Sequence, residues 1–339
     1  MRAIQVREFG GPEVLVAREV ADPVAGPGQL VVAIAAADVI FLDTLLRSGW
    51  GQEYFPLELP YVPGGGGAGL VLSVGEGVDP GWIGRRVLVR GSGGYAERMA
   101  AEAAEAVPLP EELGFAEAAA LLHDAVTAQM LIGEGRIEKG AWVLVAAAAG
   151  GAGSLVVQLA EAAGARVIAA ARGGRKRALA TELGATLTVD YSEPDWPDRV
   201  RAATGGTGVA VAFDGAGGRL GREAFRTVAR GGRFLTYGTA EGFADIDPEA
   251  ARRQGVTVIN ALEFGSPGEV AVSGMLTRAF ALTVRGGLRP VIGARYPLER
   301  AAEAHRALAE RTVVGKSVLV TGVDGQPAPG VEPPGSTVA

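Results

Sequence analysis

The sequence predicts an α/β fold built from two parts. One is a compact β-barrel-like domain, the other a parallel sheet with right-handed helical crossovers. Three observations carry this. The first third of the chain is short β-prone runs cut by Gly/Pro clusters such as PVAGPG and YVPGGGG. From Ala141 the pattern alternates strand, helix, strand, helix. The first strand of that series runs into a glycine-rich loop and then directly into a helix.

In order, Ala3 to Val6, Leu15 to Val20, Leu30 to Ala35, Leu70 to Val74 and Arg86 to Val89 read as strands. Phe115 to Gly133 reads as one helix with an Ala/Leu-rich face. Trp142 to Ala146 is an apolar strand. Ser154 is a candidate cap for a helix running to Ala163, with Gly164 where a left-handed residue closes it. Arg166 to Ala171 is the next strand, and Arg175 to Leu183 the next helix, closed by Gly184. Leu187 to Val189, Val209 to Phe213, Phe234 to Tyr237 and Val256 to Ala261 supply further strands. Helices follow near Gly268 to Arg285 and Leu298 to Glu310, then a last strand, Lys316 to Thr321. The tail DGQPAPGVEPPGSTVA has the composition of a disordered segment.

Composition narrows the function. The 339 residues carry a net charge of −6 and no long Lys/Arg run, which argues against nucleic acid as a partner. There is no cysteine, so no disulfide, no thiolate nucleophile and no cysteine-ligated zinc. Two histidines, His123 and His305, are too few for a multi-histidine metal site. The charged start MRAIQVREFGG is unlike a signal peptide, and no apolar run reaches membrane-span length. A cytoplasmic protein is expected.

The loop after Trp142–Ala146 is AAAGGAG, Ala147 to Gly153. It follows the dinucleotide fingerprint in the form A-x-x-G-x-x-G, with Ala147, Gly150 and Gly153 at the key positions. Such a loop lets backbone amides of Ala149, Gly150, Gly151, Ala152 and Gly153 approach a pyrophosphate at a helix N-terminus. After the second strand, AAARGGRKR has no acid to hold ribose hydroxyls. It has four bases, Arg172, Arg175, Lys176 and Arg177. Bases in a first helical turn oppose the helix dipole, so a phosphate partner is expected, and NADP is favoured over NAD.

The order of these features resembles the zinc-free quinone oxidoreductase (zeta-crystallin-like) branch of the medium-chain dehydrogenase/reductase family. Matching landmarks are LDTLLRSG, LPYVPGGGGAG, VGEGV, GGYAE, the Thr127-Ala128 pair, AAAAGGAG, Asp190-Tyr191 and Tyr237-Gly238. RPVIGARYPLERAAEAH and Gly315-Lys316 extend the match nearly to the end. The resemblance implies a chaperonin-10-like barrel domain, residues 1–118 and 263–323, around a Rossmann domain, residues 119–262, with a tail over 324–339. It implies NADPH as cofactor and a homodimer joined through an edge of the Rossmann sheet. By position, Thr127 meets the nicotinamide amide, and Lys176 and Tyr191 the adenosine phosphate end. Tyr237, Gly238, Leu262 and Phe264 line the nicotinamide ribose, and Lys316 lies near the cofactor's edge. The family's zinc branch needs Cys and His ligands that this chain lacks.

The chain departs from the quinone oxidoreductases at polar positions. Their Asn is Ile40, their Tyr after Asp-Thr is Leu45, and their acidic residue of the P-G-[ST]-[DE] stretch is Gly66. The polar residues expected to hold a quinone are mostly gone, and the implied pocket is more apolar, which bears on the quinone but not on hydride transfer. Candidate proton donors are His123 and Asp124, just before Thr127, and Tyr54 in the aromatic stretch WGQEYFPLELPY, beside Trp50 and Phe55. His123 as a helix cap or satisfied core residue is the competing reading. Asp43 reads as a structural hub and His305 as a surface or packing residue. The expected reaction is hydride transfer to a quinone or an α,β-unsaturated carbonyl. Alternatives are an enoyl or alkenal C=C reductase and a non-catalytic NADPH-binding protein.

Overall fold

The computed structural model describes residues 1–261 and 268–322. Leu262, Phe264 and the tail from 324 lie outside the described residues. The chain divides into two compact units. The first comprises Met1–Leu122, Leu276–Val284 and the chain from Ile292; the second comprises His123–Met275 and Arg285–Val291.

In the first unit the long strand Gln29–Val39 is the organiser. Its eleven residues, QLVVAIAAADV, are buried almost throughout. Such a run must be covered on both faces, which removes the period-two alternation of a half-exposed strand. It pairs antiparallel with Gly66–Val74, Arg98–Glu102 and Lys316–Val320. The sheet continues through Arg86–Arg90 to Val107–Pro108 on one side and to Ile292–Pro297 on the other. Register shifts at Val31/Val32 and Ile34/Ala36 are bulges that bend the pair with Gly66–Val74, as a barrel requires. The strand outruns its expected end at Ala35 because Ala36 to Val39 pair with Ser317 to Val320, from the far end of the chain. The core holds Ile4, Leu30, Ile34, Val87, Tyr95 and Leu319.

The second unit is a six-stranded parallel sheet. Its strand order is Leu187–Val189, Arg166–Ala170, Trp142–Ala146, Val209–Asp214, Val228–Thr236, Thr257–Asn260. This is the doubly wound Rossmann order, and the direction of winding reverses between Trp142–Ala146 and Val209–Asp214. A parallel sheet of this kind binds ligands beyond the carboxyl ends of the strands at that reversal. Gly164 (φ 84°) and Gly184 (φ 102°) take the left-handed positions expected after their helices, Gly151–Ala162 and Gly174–Glu182.

Three local expectations are corrected. Phe115 to Gly133 is two helices, Phe115–Leu121 and Asp124–Gly135. The Leu122 N–H bonds to Ala119 three residues back, which tightens the turn and ends the first helix. Ser154 is not a cap. The helix starts at Gly151 with Gly150 as N-cap, and the Ser154 hydroxyl donates back to the Gly151 carbonyl (2.8 Å). Leu298 to Glu310 opens with one 3₁₀ turn, Leu298–Arg300, before the α-helix Ala301–Ala309.

Candidate functional site

The loop Ala147–Gly153 is shaped by close backbone packing. Ala147 holds φ 56°, a left-handed value that disfavours any residue with a Cβ. A Cβ on Gly153 would stand 2.3 Å from the Ala147 carbonyl oxygen, so only glycine lets the helix seat against the turn. Gly150 is different: a Cβ there would meet only that same oxygen, at 3.3 Å, within a 4 Å reach. Its chain neighbours aside, no other atom lies within 4 Å of that position. Helix geometry leaves the N–H groups of Gly151, Ala152 and Gly153 without an intrahelical acceptor. The helix has no side-chain cap bond and no acid in its first turn. These features fit a pyrophosphate.

The end of the next strand adds charge. Arg172 and Arg175 are exposed and Lys176 is half-buried. A Cβ on Gly173 or Gly174 would meet nothing within 4 Å, so the space beside these bases is open. The Arg172 guanidinium lies 6.0 Å from the ring centre of Tyr191, which is itself buried. The Arg177 Nε pairs with Asp190 Oδ2 at 3.6 Å. The Gly173 N–H donates to the same carboxylate (2.8 Å), and the Ser192 N–H and hydroxyl donate to its other oxygen. Burial pushes the Asp190 carboxyl up, but these donors and Arg177 together hold it below its ordinary value. The basic loop is thus anchored by Arg177 and carries Arg172 and Arg175 exposed, with Lys176 half-buried beside them.

At the winding reversal, Asp214 ends its strand fully buried. It accepts from the Ala216 and Gly217 N–H groups (3.0 and 2.9 Å) and from the Thr236 hydroxyl (3.2 Å). Its backbone carbonyl accepts from the N–H groups of Tyr237 (2.9 Å) and Gly238 (3.2 Å). A Cβ on Gly215 would lie 2.5 Å from the Tyr237 hydroxyl, and one on Gly238 2.0 Å from the Gly215 carbonyl oxygen. Tyr237 and Gly238 are therefore locked over Gly215. The Tyr237 hydroxyl is buried and makes no hydrogen bond among the described residues. Burial, then the Asp214 and Asp124 carboxylates, push its pKa far up, so it stays a neutral phenol.

Asp124 opens the helix Asp124–Gly135 and acts electrostatically on Tyr237; the second unit brings these two together. His123 occupies the N-cap position of that helix without a side-chain cap bond. Thr127, half-buried on the same helix, donates its N–H to the His123 carbonyl (3.0 Å).

Tyr54 and Lys316 belong to the first unit. Tyr54 is 70% exposed, in a turn held by bonds from the Tyr54 and Phe55 N–H groups to the Gly51 carbonyl. Trp50 and Phe55 are exposed in the same turn. Lys316 is buried, and its ammonium pairs with the buried Asp38 carboxylate at 3.2 Å. Gly66 has φ 138°, and a Cβ on it would lie 2.2 Å from the Val89 carbonyl oxygen, so an acid is sterically barred there.

Asp43 is the structural hub expected. Its Oδ2 accepts from the Ile40 N–H (3.0 Å) and from the Tyr95 hydroxyl (2.9 Å). Tyr95 in turn contacts His305 Nε2 at 3.0 Å, and His305 is a fully buried residue rather than a surface one. These two links span 52 and 210 positions of the chain, so they left no local signal in the sequence.

Among the described residues, no group of three or more His, Cys, Asp or Glu side chains is placed to hold a metal ion. No helix among them is long and apolar enough to cross a membrane. A family model described as zinc-binding dehydrogenase matches residues 151–278, and one described as alcohol dehydrogenase GroES-like domain matches residues 26–111. The chain is 31% identical to the human synaptic vesicle membrane protein VAT-1 homolog, over 95% of this chain and 87% of the relative. It is 33% identical to the quinone oxidoreductase of Rattus norvegicus, over 94% of this chain and 98% of the relative. The structure of Escherichia coli quinone oxidoreductase complexed with NADPH superposes with a TM-score of 0.88 at 28% identity, covering 95% of this chain and 100% of that one. With both family models matched and no cysteine to ligate zinc, the chain belongs to the medium-chain dehydrogenase/reductase family, in its zinc-free quinone oxidoreductase branch.

Proposed function

We propose that this chain is an NADPH-dependent, metal-free oxidoreductase that transfers hydride to a quinone or an α,β-unsaturated carbonyl. The observation that carries the cofactor is the pairing of an open glycine helix start with the acid-free basic loop Arg172–Lys176. The NADPH complex of the Escherichia coli relative supports it. NADPH supplies the hydride when bound.

The chain's own residues do the rest. The amides of the Ala149–Gly153 loop hold the pyrophosphate. Arg172, Arg175 and Lys176 hold the 2′-phosphate, with Tyr191 beneath Arg172. Thr127, Tyr237, Gly238, Leu262, Phe264 and Lys316 carry the remaining cofactor contacts implied by the family. His123, Asp124 and Tyr54 are the candidate proton donors to the reduced product. The working division is a barrel domain, residues 1–118 and 263–323, and a Rossmann domain, residues 119–262. A cytoplasmic homodimer is part of the same reading.

The C=C reductase reading is favoured by Ile40, Leu45 and Gly66, which replace the polar residues of the quinone oxidoreductases. Oxidation of NADPH, followed by its own absorbance with benzoquinone, naphthoquinone, crotonyl and alkenal acceptors, tests both. Turnover of the quinones alone supports quinone reduction; turnover of the enones alone supports the C=C reading. If no acceptor turns over while NADPH still raises the melting temperature, the chain binds the cofactor without this chemistry.

A further inference from the structure

The carboxylate of Asp190 joins two loops of the second unit. One follows the strand Arg166–Ala170 and carries Arg172; the other follows Leu187–Val189 and carries Tyr191. Asp190 Oδ2 accepts from the Gly173 N–H (2.8 Å) and pairs with Arg177 Nε (3.6 Å). Its Oδ1 accepts from the Ser192 N–H (3.0 Å) and from the Ser192 hydroxyl (2.5 Å). The residues bonded to the carboxylate are thus chain neighbours of the pair in cation–ring contact. Gly173 follows Arg172, and Ser192 follows Tyr191.

Two features say what this acid does. In an NAD site the acid beyond the second strand accepts from the ribose hydroxyls. Here both oxygens of Asp190 are taken by donors of the chain itself, and the residue is 8% exposed. The loop it holds bears four cations in the stretch Arg172 to Arg177, and like charges so close repel one another. A Cβ on Gly173 or Gly174 would meet nothing within 4 Å, so this turn is held by its hydrogen bonds and not by packing around those two residues.

Given NADPH as the cofactor, as proposed above, we propose that Asp190 is a positioning residue for cofactor choice. Its carboxylate clamps the two loops together and so sets Arg172, Arg175 and Lys176 to hold the 2′-phosphate. Asp190 acts through these bases and does not touch the cofactor. Its charge alone would do the opposite, since an anion beside the bases weakens their hold on a phosphate. The clamp outweighs that repulsion because Arg177 and three hydrogen-bond donors already meet the charge.

Dissociation constants for NADPH and NADH test this, taken from intrinsic fluorescence of the full-length protein with no acceptor present. Asp190→Ala should weaken NADPH roughly 10-fold and NADH less than about 2-fold, a coupling of the size found within one hydrogen-bond network. Asp190→Asn has a single accepting oxygen. It should show a smaller loss in the same direction, and it serves in place of the alanine variant if that one does not fold. In a chain already carrying Arg172→Ala and Lys176→Ala, adding Asp190→Ala should change NADPH binding less than about 2-fold, because groups it positions are gone. Equal losses for the two cofactors, tighter NADPH binding, or an undiminished loss in that background each overturns the positioning role. If Arg172→Ala with Lys176→Ala does not itself select against NADPH, the 2′-phosphate reading falls and the positioning role with it. If that selection is present and Asp190→Ala has no effect, the positioning role alone falls.

Discussion

Gly153 sits against Ala147 so closely that a Cβ on it would lie 2.3 Å from the Ala147 carbonyl oxygen, while at Gly150, three residues earlier, a Cβ would stand 3.3 Å from the same oxygen. The two glycines therefore fail differently when replaced. Gly153→Ala should lower the melting temperature without cofactor, since forcing atoms into a packed contact costs roughly 1–3 kcal/mol. Gly150→Ala, whose Cβ would stand 3.3 Å from that oxygen, should lower it by less than Gly153→Ala does and reduce the further rise caused by NADPH. Thermal melts of both variants with and without NADPH check the split.

The basic loop predicts cofactor choice. Arg172→Ala combined with Lys176→Ala should weaken NADPH roughly 10- to 100-fold, the loss of one to two charge-assisted bonds, and leave NADH nearly unchanged. Equal losses for the two cofactors would sink the 2′-phosphate assignment. Arg177→Ala should instead act on stability, because Arg177 pairs with Asp190. Titrations of intrinsic fluorescence with each cofactor distinguish these outcomes.

The candidate proton donors separate by kinetics. If Asp124 delivers the proton, Asp124→Asn should lower kcat by roughly 100-fold with NADPH affinity retained, in line with general-acid contributions. Tyr54→Phe and His123→Asn make the same test for the other two. A kcat unchanged in all three variants points to solvent as the proton source.

His305 makes stability depend on pH. Burial, then Arg47, lowers its folded pKa from 6.5 to about 3. The Tyr95 hydroxyl and, through it, Asp43 face the same imidazole. Below pH 6.5 the unfolded chain takes up a proton that the folded chain refuses, so stability falls as pH falls from 6.5 toward 3. At pH 5 the loss from this group is roughly 2 kcal/mol. Urea midpoints measured from about pH 7.5 to 5 should show the slope, and His305→Gln should flatten it.

Lys316 and Asp38 are a buried pair, 3.2 Å apart. Lys316→Met alone takes the ammonium from the buried carboxylate and should cost roughly 3–5 kcal/mol of unfolding free energy. Changing both, Lys316→Met with Asp38→Leu, should recover much of that. Denaturant unfolding of the single and double variants decides it. A single variant as stable as the parent shows that the pair does not hold the first unit together.

What could be read from the sequence was what local rules govern. The strand Trp142–Ala146 and its glycine loop were legible because the turn sterics and the helix start all fall within a dozen residues. Gly164 and Gly184 were legible because a helix end needs a left-handed residue. The full extent of Gln29–Val39 was not legible, because Ala36 to Val39 owe their strand state to Ser317 to Val320. The partners of Asp43 were hidden for the same reason, since Tyr95 and His305 come from distant segments. Arg177 looked like its basic neighbours until the fold placed Asp190 beside it. Gly66 read as a lost acid; the Val89 carbonyl beside it shows that the backbone itself excludes one.

The pairing of Val39 with Ser317 also bears on how the protein is made. The strands of the parallel sheet end at Asn260, so all six emerge from the ribosome before Lys316–Val320 does. An early segment must wait for a late one. Until then the long apolar strand Gln29–Val39 lacks its partner at one end. Of the two units, the one whose synthesis starts earlier closes later, and its exposed interval is the step at which chaperones and aggregation compete.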